Sequence, residues 1–166
     1  MASIINGSSP TVTFSDGTTQ ATSAIVSGYV PYANLPAGSV LQVVSSAYST
    51  QSSVSSTTPA ATGLTATITP KFATSKIYVS VSSSGGQTTS GRSAFFYLYK
   101  NGSSIGKMEC GDGSAVFYPI CITYYDSPAT TSATTYAAYI ATDGVGTNYF
   151  AVASTPSTIT LMEIAA

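Results

Sequence analysis

The sequence predicts an all-β protein built as a β-sandwich or jelly roll. Strand-forming residues (Val, Ile, Thr, Tyr and Phe) recur along the whole chain. Apolar and polar residues alternate with period two in several segments, which is typical of strands that bury one face. After residue 38, eight or nine short strands are expected at regular spacing, separated by turn residues. No segment combines the apolar spacing and the capping residues of a long helix.

The alternation is clearest in two segments. Apolar residues at 64, 66 and 68 alternate with threonines, and those at 77, 79 and 81 alternate with Tyr and Ser. Asn101-Gly102 predicts a tight hairpin, because these residues readily adopt the two positive φ angles of a type I′ turn. Further breaks are expected at Asp16-Gly17, at 111–113 and at 143–146. The expected strands lie near residues 11–15, 39–48, 60–69, 75–84, 93–100, 104–110, 115–125, 133–142, 147–153 and 157–164.

Two regions are expected. Residues 39–166 hold most of the predicted strands and are long enough to bury a core. Residues 1–38 contain one predicted strand in a polar segment with too few apolar residues for a core of its own. We therefore predict an N-terminal arm or adaptor that docks on a partner. Its apolar residues are the candidates for that contact: Ile4, Ile5, Val12 and Phe14.

The composition argues against catalysis and against several partners. Only 11 of 166 residues are charged, 53 are Ser or Thr, and histidine, the usual acid–base group near neutrality, is absent. We therefore expect no enzyme activity, with no catalytic residues and no cofactor. A net charge of −1 gives no electrostatic footprint for nucleic acid, and the longest apolar run is far too short to span a membrane.

Few residues offer other chemistry. Asp112 and Asp143 lie in Gly-flanked loops, but calcium usually needs several carboxylates close together, so we predict turns and no metal site. The N-terminus lacks the features of a signal peptide, which predicts synthesis in a cytoplasm. Cys110 and Cys121 are accordingly expected to be buried free thiols. A hairpin at 111–114 would hold them about 20 Å apart, too far for a disulfide.

The segment Phe95-Phe96-Tyr97-Leu98-Tyr99 is the most informative stretch of the chain, because a strand here is apolar on both faces. Phe96 and Leu98 are expected to fill one face. Phe95, Tyr97 and Tyr99 would then form the other face, which we interpret as a subunit interface. The pairs Tyr124-Tyr125 and Tyr136/Tyr139 could belong to the same interface, with Tyr124 and Tyr136 as its first candidates. Two alternatives remain open: a central strand covered by a loop or by the N-terminal arm, and a platform on which sugars stack.

Several segments resemble virion proteins of tailed bacteriophages. Residues 11–22, TVTFSDGTTQAT, resemble the TFxDGTTQxT segment of tail-fibre and other virion proteins. Residues 38–166 are similar to a C-terminal module of such appendages. The segments that carry this similarity are 38–51 (GSVLQVVSSAYSTQ), 68–77 (ITPKFATSKI), 126–136 (DSPATTSATTY) and 157–165 (STITLMEIA). The resemblance implies a homotrimeric β-sandwich akin to the tumour-necrosis-factor-like jelly rolls, and it implies no catalytic residues.

Chain length bears on which virion part this is. A tail fibre usually has an attachment domain, a long shaft and a tip, whereas a decoration (cement) protein needs only a compact trimer and a segment that grips the shell. One module and a short arm therefore favour a decoration protein on the outer capsid surface, made in the host cytoplasm and bound to the major capsid protein. The alternative is a tail-fibre or tailspike tip that recognises host surface glycans.

Overall fold

The computed structural model describes residues 4–5, 11–13, 15–17, 19–21, 30–111 and 116–166. The chain divides into two compact units, Met1–Ser39 and Val40–Ala166; the sequence placed the boundary after residue 38. The described residues contain strands and two short 3-10 turns, at Tyr32–Asn34 and Val152–Ser154, and no α-helix. None of their helical segments has the length and hydropathy to cross a membrane.

The described residues of the N-terminal unit contain three short strands where the sequence predicted one. Strands β1 (Ile4–Ile5), β2 (Thr11–Thr13) and β3 (Thr19–Ala21) form an antiparallel sheet with β2 in the centre. Within the predicted strand at 11–15, the described strand is Thr11–Thr13, and it pairs with a neighbour on each side. Strands of two or three residues are too short to show a period of two, so their sequence carries no pattern.

The described residues of the larger unit form ten strands in two antiparallel sheets. The strands are β4 (Val40–Tyr48), β5 (Ser52–Val54), β6 (Ala60–Ile68), β7 (Lys76–Gln87), β8 (Ala94–Lys100), β9 (Ser103–Cys110), β10 (Val116–Asp126), β11 (Thr134–Thr142), β12 (Asn148–Phe150) and β13 (Ser157–Ile164). The four-stranded sheet has the order β6-β11-β8-β9. In the six-stranded sheet, β4-β13-β7-β12-β5 follow one another, and β10 pairs with β7.

The two sheets bury one common hydrophobic core, as in a β-sandwich. Every second residue of the long strands faces it, so the predicted alternation is confirmed in β6 and β7, whose inward apolar residues are at most 6% exposed. Phe96 and Leu98 also face inward, as predicted. Burial of large side chains at about 1.5–3 kcal/mol each drives the sheets together. The largest buried apolar side chains come from both sheets: Leu64, Ile68, Ile77, Phe96, Leu98, Ile120, Tyr136, Ile140, Phe150, Ile159 and Leu161.

One fully buried carboxylate holds a loop to the six-stranded sheet. Glu163 of β13 accepts the backbone N–H of Lys71 at 2.6 Å and that of Phe72 at 3.4 Å. Its second oxygen accepts Gln42 Nε2 at 2.6 Å, and the same Nε2 lies 2.7 Å from the Thr69 carbonyl oxygen. A buried charge is tolerated only when hydrogen bonds replace water, and these three bonds do so.

Four local expectations differ from the structure. Strand β5 was missed. The strand expected at 147–153 ends at Phe150, because Ala151 adopts a left-handed φ of 55°, although its N–H still bonds to the carbonyl oxygen of Ser84, the next residue of β7 in register. The residues around Gly111 do not close a hairpin, since β9 and β10 lie in different sheets. Both cysteines are free, as predicted, but they are not buried: Cys110 is half-buried and Cys121 is exposed.

Candidate functional site

The outer face of the four-stranded sheet carries a band of aromatic rings. Phe95, Tyr97 and Tyr99 alternate along β8 and point away from the core, half-buried. Successive rings pack edge to face, with centroids 6.5 and 6.3 Å apart. Tyr139 of the neighbouring strand β11 stacks on Tyr99 with centroids 4.0 Å apart and an interplanar angle of 18°. We call these four rings the aromatic face.

A charged side chain covers one end of the aromatic face. Lys107 Nζ lies 3.7 Å from the centroid of Phe95 and 6.0 Å from that of Tyr97. The same Nζ lies 3.8 Å from Glu109 Oε2, and both side chains are about half exposed. The cation–π contact contributes on the order of 0.5–1 kcal/mol at such a site. The Phe95 end of the aromatic face is thus shielded, and the Tyr99 end is not covered in this way.

At the Tyr99 end lies a groove of about 290 Å³. The Tyr99 and Tyr139 rings line one part of it, and small residues of β6 and β11 (Ala61, Gly63 and Ala137) line another. The remaining lining residues include Asn101, Thr65 and Thr135, and no lining residue carries a charge. We call this the tyrosine groove.

The outer face of the six-stranded sheet carries a second apolar surface. Val43, Met162, Tyr78 and Tyr125 are direct cross-strand partners on β4, β13, β7 and β10, so they form one continuous row across the sheet. The side chains at its two ends are 55% (Val43) and 57% (Tyr125) exposed. We call this set the apolar row. Single exposed apolar residues are common, but four in register form a contiguous patch.

Part of that outer face is polar, and it includes Lys76 of β7, whose Nζ donates to Ser127 Oγ at 2.8 Å. Two residues along each strand from the apolar row, on the same face, lie four further cross-strand partners: Ser45, Thr160, Ser80 and Thr123. Ser45 Oγ lies 3.2 Å from Thr160 Oγ1. Further along, Phe117 is 50% exposed and packs edge to face against Tyr149 at 6.1 Å. The face therefore has apolar side chains towards both ends and hydroxyl groups between them.

Inside the sandwich, one polar cluster links the two sheets. Asp126 at the end of β10 accepts Lys100 Nζ with both carboxylate oxygens, at 3.0 and 2.9 Å. It also accepts the Tyr136 hydroxyl at 2.6 Å. Burial, followed by the hydrogen bond to Asp126 and the charge of its carboxylate, raises the pKa of the Tyr136 hydroxyl well above its usual value. Because its tyrosine is fully buried, the cluster stabilises the contact between the two sheets.

The structure unites only part of the predicted interface. Phe95, Tyr97 and Tyr99 share one outer face, as predicted from their alternation. Tyr136 is corrected: it is 0% exposed and hydrogen-bonded within the core. Tyr124 is also corrected, because it is half-buried and packs against the core from the inner face of β10. Neither ring belongs to the aromatic face.

The position of each tyrosine within its strand indicates which face of the sheet it occupies. Tyr136 lies four residues before Ile140, so the two share a face, and Ile140 is buried. The same parity gives Tyr139 to the outer face beside Tyr99. The apolar row had no such signal, because its members belong to four separate segments whose register the sequence does not show.

The predicted arm residues are only partly described. Ile4 and Ile5 lie in β1, where they pair with Thr13 and Val12 of β2. Phe14 lies outside the described residues. Their predicted docking role stays a prediction.

The other candidate residues show ordinary turn and surface chemistry. Asp143 accepts Val145 N with Oδ1 at 3.2 Å, and its Oδ2 lies 3.4 Å from Ser93 N and 3.6 Å from Arg92 Nη1. Asp112 lies outside the described residues. Within the described ranges, no three acidic, Cys or His side chains come together as metal ligands would. Burial and the charge of Glu109 raise the pKa of the Cys110 thiol, which makes it a weaker nucleophile.

These features define residues 40–166 as an all-β unit of two antiparallel sheets with two apolar outer surfaces. No protein-family model matches the chain, and no curated protein matches it. Among solved structures, a chain from a structure of infectious bursal disease virus, Gx strain, aligns with a TM-score of 0.44 and 11% identity. The alignment covers 75% of this chain and 37% of the viral one. A similarity this weak assigns neither a fold family nor a role.

Proposed function

We propose that this chain is a non-enzymatic structural protein of a tailed-bacteriophage virion, which forms a homotrimer and decorates the outer capsid surface. The observation that carries the self-association is the apolar row on the six-stranded sheet. The resemblance of residues 11–22 and 38–166 to virion proteins supports the trimeric state and the virion location. The partner would then be the major capsid protein.

The strand order supports a jelly roll as the fold of residues 40–166. Without the three-residue strands β5 and β12, eight strands remain. Numbered 1 to 8 along the chain, they have the orders 1-8-3-6 and 2-7-4-5 in the two sheets. Two Greek keys wound into facing four-stranded sheets produce this order, which is common in viral capsid domains and lectins.

The apolar row is the better candidate for the subunit interface. Its end residues Val43 and Tyr125 are more than half exposed, so a second copy would remove large apolar areas from water. The aromatic face, by contrast, already shields itself, because its rings pack on one another and Lys107 covers Phe95. A closed symmetric assembly would bury the row in every copy and leave none of it exposed.

Light scattering of matched variants tests this interface. The wild-type protein should show three times the chain mass of 16.8 kDa at micromolar concentration. Tyr125→Ser on the apolar row should shift the mass towards that of the single chain, whereas Tyr97→Ser on the aromatic face should leave it unchanged. A stable monomer in the wild type contradicts the proposal. Dissociation by Tyr97→Ser alone would instead identify the aromatic face, the sequence-based candidate, as the interface.

Negative-stain imaging of virions labelled for this protein tests the location. Decoration predicts labels over the whole capsid. Labels confined to the tail would favour the alternative, a tail-fibre or tailspike tip. Since one jelly roll can serve both roles, the labelling pattern and not the fold separates them.

A further inference from the structure

We propose that the tyrosine groove is a binding site for one ring of a neutral carbohydrate. The groove lies within a single chain, so this inference does not rest on the trimer or on capsid attachment. It names a ligand class for a surface that the self-association leaves free, on the sheet opposite the apolar row.

The wall of the groove is a pre-organised aromatic surface. Stacking at 4.0 Å fixes Tyr99 and Tyr139 against each other, and the edge-to-face contact with Tyr97 at 6.3 Å fixes Tyr99 further. A ligand that packs against these rings would therefore lose little additional side-chain entropy of the protein on binding. Flat rings of this kind bind the C–H-bearing face of a sugar ring, which is apolar although the molecule is polar.

The groove exists because the residues beside the rings are small. Ala61 of β6 and Ala137 of β11 line it, where a larger strand residue would fill the space, and Gly63 contributes backbone alone. The register between β6 and β11 shifts at this point, between Ala137 and Tyr139. Gly63 has a positive φ of 96°, and a Cβ there would lie 2.6 Å from the ring of Tyr48. A glycine within a strand commonly marks a bulge or the close approach of another group.

Polar groups line the groove beside the rings. The Asn101 side chain is held by its Oδ1, which accepts Thr135 N at 2.8 Å. This bond leaves the Nδ2 group as a hydrogen-bond donor. The hydroxyl of Thr65 donates to Tyr136 O at 3.0 Å and so retains its acceptor lone pairs. Donor and acceptor groups beside an aromatic wall match the hydroxyl groups at the edge of a sugar ring.

Charge and size select the ligand class. No lining residue is charged, so the groove offers no counter-ion for a phosphate, a sulfate or an acidic sugar. A volume of about 290 Å³ lies at the lower limit of small-molecule sites, which suits one ring rather than a folded partner. The ligand is therefore a neutral hexose unit, free or within a polysaccharide.

The experiment uses the full-length protein and a panel of neutral trisaccharides built from glucose, galactose, mannose or N-acetylglucosamine, with a sialylated trisaccharide as the charged comparator. Binding is followed by saturation-transfer NMR and by tyrosine fluorescence, which is unobstructed because the chain has no tryptophan. We expect at least one neutral trisaccharide to bind with a dissociation constant on the order of 1 mM, since a shallow groove buries only part of its ligand.

Two variants localise the binding. Ala61→Leu fills the groove at an exposed position that tolerates a larger side chain, and Tyr139→Ala removes half of the aromatic wall. Each should weaken binding at least tenfold. The matched control Ala47→Leu, at an exposed strand position of the other sheet, should bind as the wild type does. Circular dichroism verifies that the variants fold.

Three outcomes would overturn the proposal. One is that no neutral trisaccharide binds at about 20 mM, a concentration far above the expected constant. Another is that Ala61→Leu binds as tightly as Ala47→Leu. Preferential binding of the sialylated probe would also contradict it, because the groove offers no positive charge.

Discussion

Removal of one buried hydroxyl, in Tyr136→Phe, should cost about 2 kcal/mol of unfolding free energy. The ring is 0% exposed and stays in place, so the change deletes only the 2.6 Å hydrogen bond to Asp126. Hydrogen bonds to charged groups contribute about 1.5–3 kcal/mol. Asp126 keeps both contacts to Lys100 Nζ, so its charge remains partnered, and the loss should stay below the upper end of that range.

The pH dependence gives a second and sharper test. The pKa of Tyr136 is raised in the folded protein, so the unfolded chain loses this proton first, above about pH 10. Stability contributed by the protonated hydroxyl is therefore complete below pH 10 and falls as the pH rises further, by up to about 1.4 kcal/mol per pH unit. The Phe variant lacks this group. Its deficit of about 2 kcal/mol at pH 8 should shrink to less than about 1 kcal/mol at pH 11.

Urea unfolding followed by far-UV circular dichroism measures both effects, at one protein concentration because assembly also affects stability. Tyr139→Phe is the matched control, since its ring lies on an outer face and no hydrogen bond of its hydroxyl is seen. The control should change stability by less than about 0.5 kcal/mol. The reasoning is refuted if Tyr136→Phe is as mild as the control at pH 8, or if its deficit is the same at pH 11.

Four further predictions concern stability and attachment. Gly85→Ala should lower the unfolding free energy by about 1–3 kcal/mol, because the added Cβ would lie 2.6 Å from Tyr149 O. Gly106→Ala is the control, because a Cβ there would lie 3.8 Å from its nearest atoms. Equal melting temperatures of the two variants would contradict the packing argument. Glu163→Gln should cost about 3 kcal/mol in chemical denaturation, because an amide NH2 would face either Gln42 Nε2 or the Lys71 N–H; a change below 1 kcal/mol would refute this. Deletion of residues 1–36 should preserve the melting temperature of the trimer but abolish capsid binding. If the truncated protein still saturates bare shells, the capsid-binding surface lies in the β-sandwich instead. The affinity for bare capsids should fall less than tenfold between about 0.05 M and about 0.5 M salt, since few residues are charged. A larger fall would indicate that charged residues carry the attachment, and Lys71, Lys76 and Arg92 would be tested first.

The sequence predicted those parts of the fold in which one strand carries its own pattern. Alternation in β6, β7 and β8 gave both the strands and their inward faces, because a residue's face depends only on its parity within the strand. Strands of three residues, such as Ser52–Val54, show too few alternations to be recognised.

The candidate surfaces were harder to predict, because they depend on how strands pair. The apolar row joins four residues that lie up to 119 positions apart in the chain (43 and 162), and only the ladder register brings them together. The tyrosine groove similarly needs the register shift beside Ala137 and small residues on a neighbouring strand. Tyr136 shows the opposite case, in which aromatic character suggested a surface although parity with Ile140 indicated the interior.

The two buried carboxylates also bear on how the chain avoids misfolding. Glu163 and Asp126 are the cross-strand neighbours of Ile77, one on each side, so both lie in a single inward row. A slip of β10 or β13 by one residue would turn that strand's carboxylate outward and its apolar-row residue, Tyr125 or Met162, inward. The slipped chain would lose the hydrogen-bond partners of that carboxylate. These two acidic residues therefore favour the correct strand register in a chain in which 53 of 166 residues are Ser or Thr.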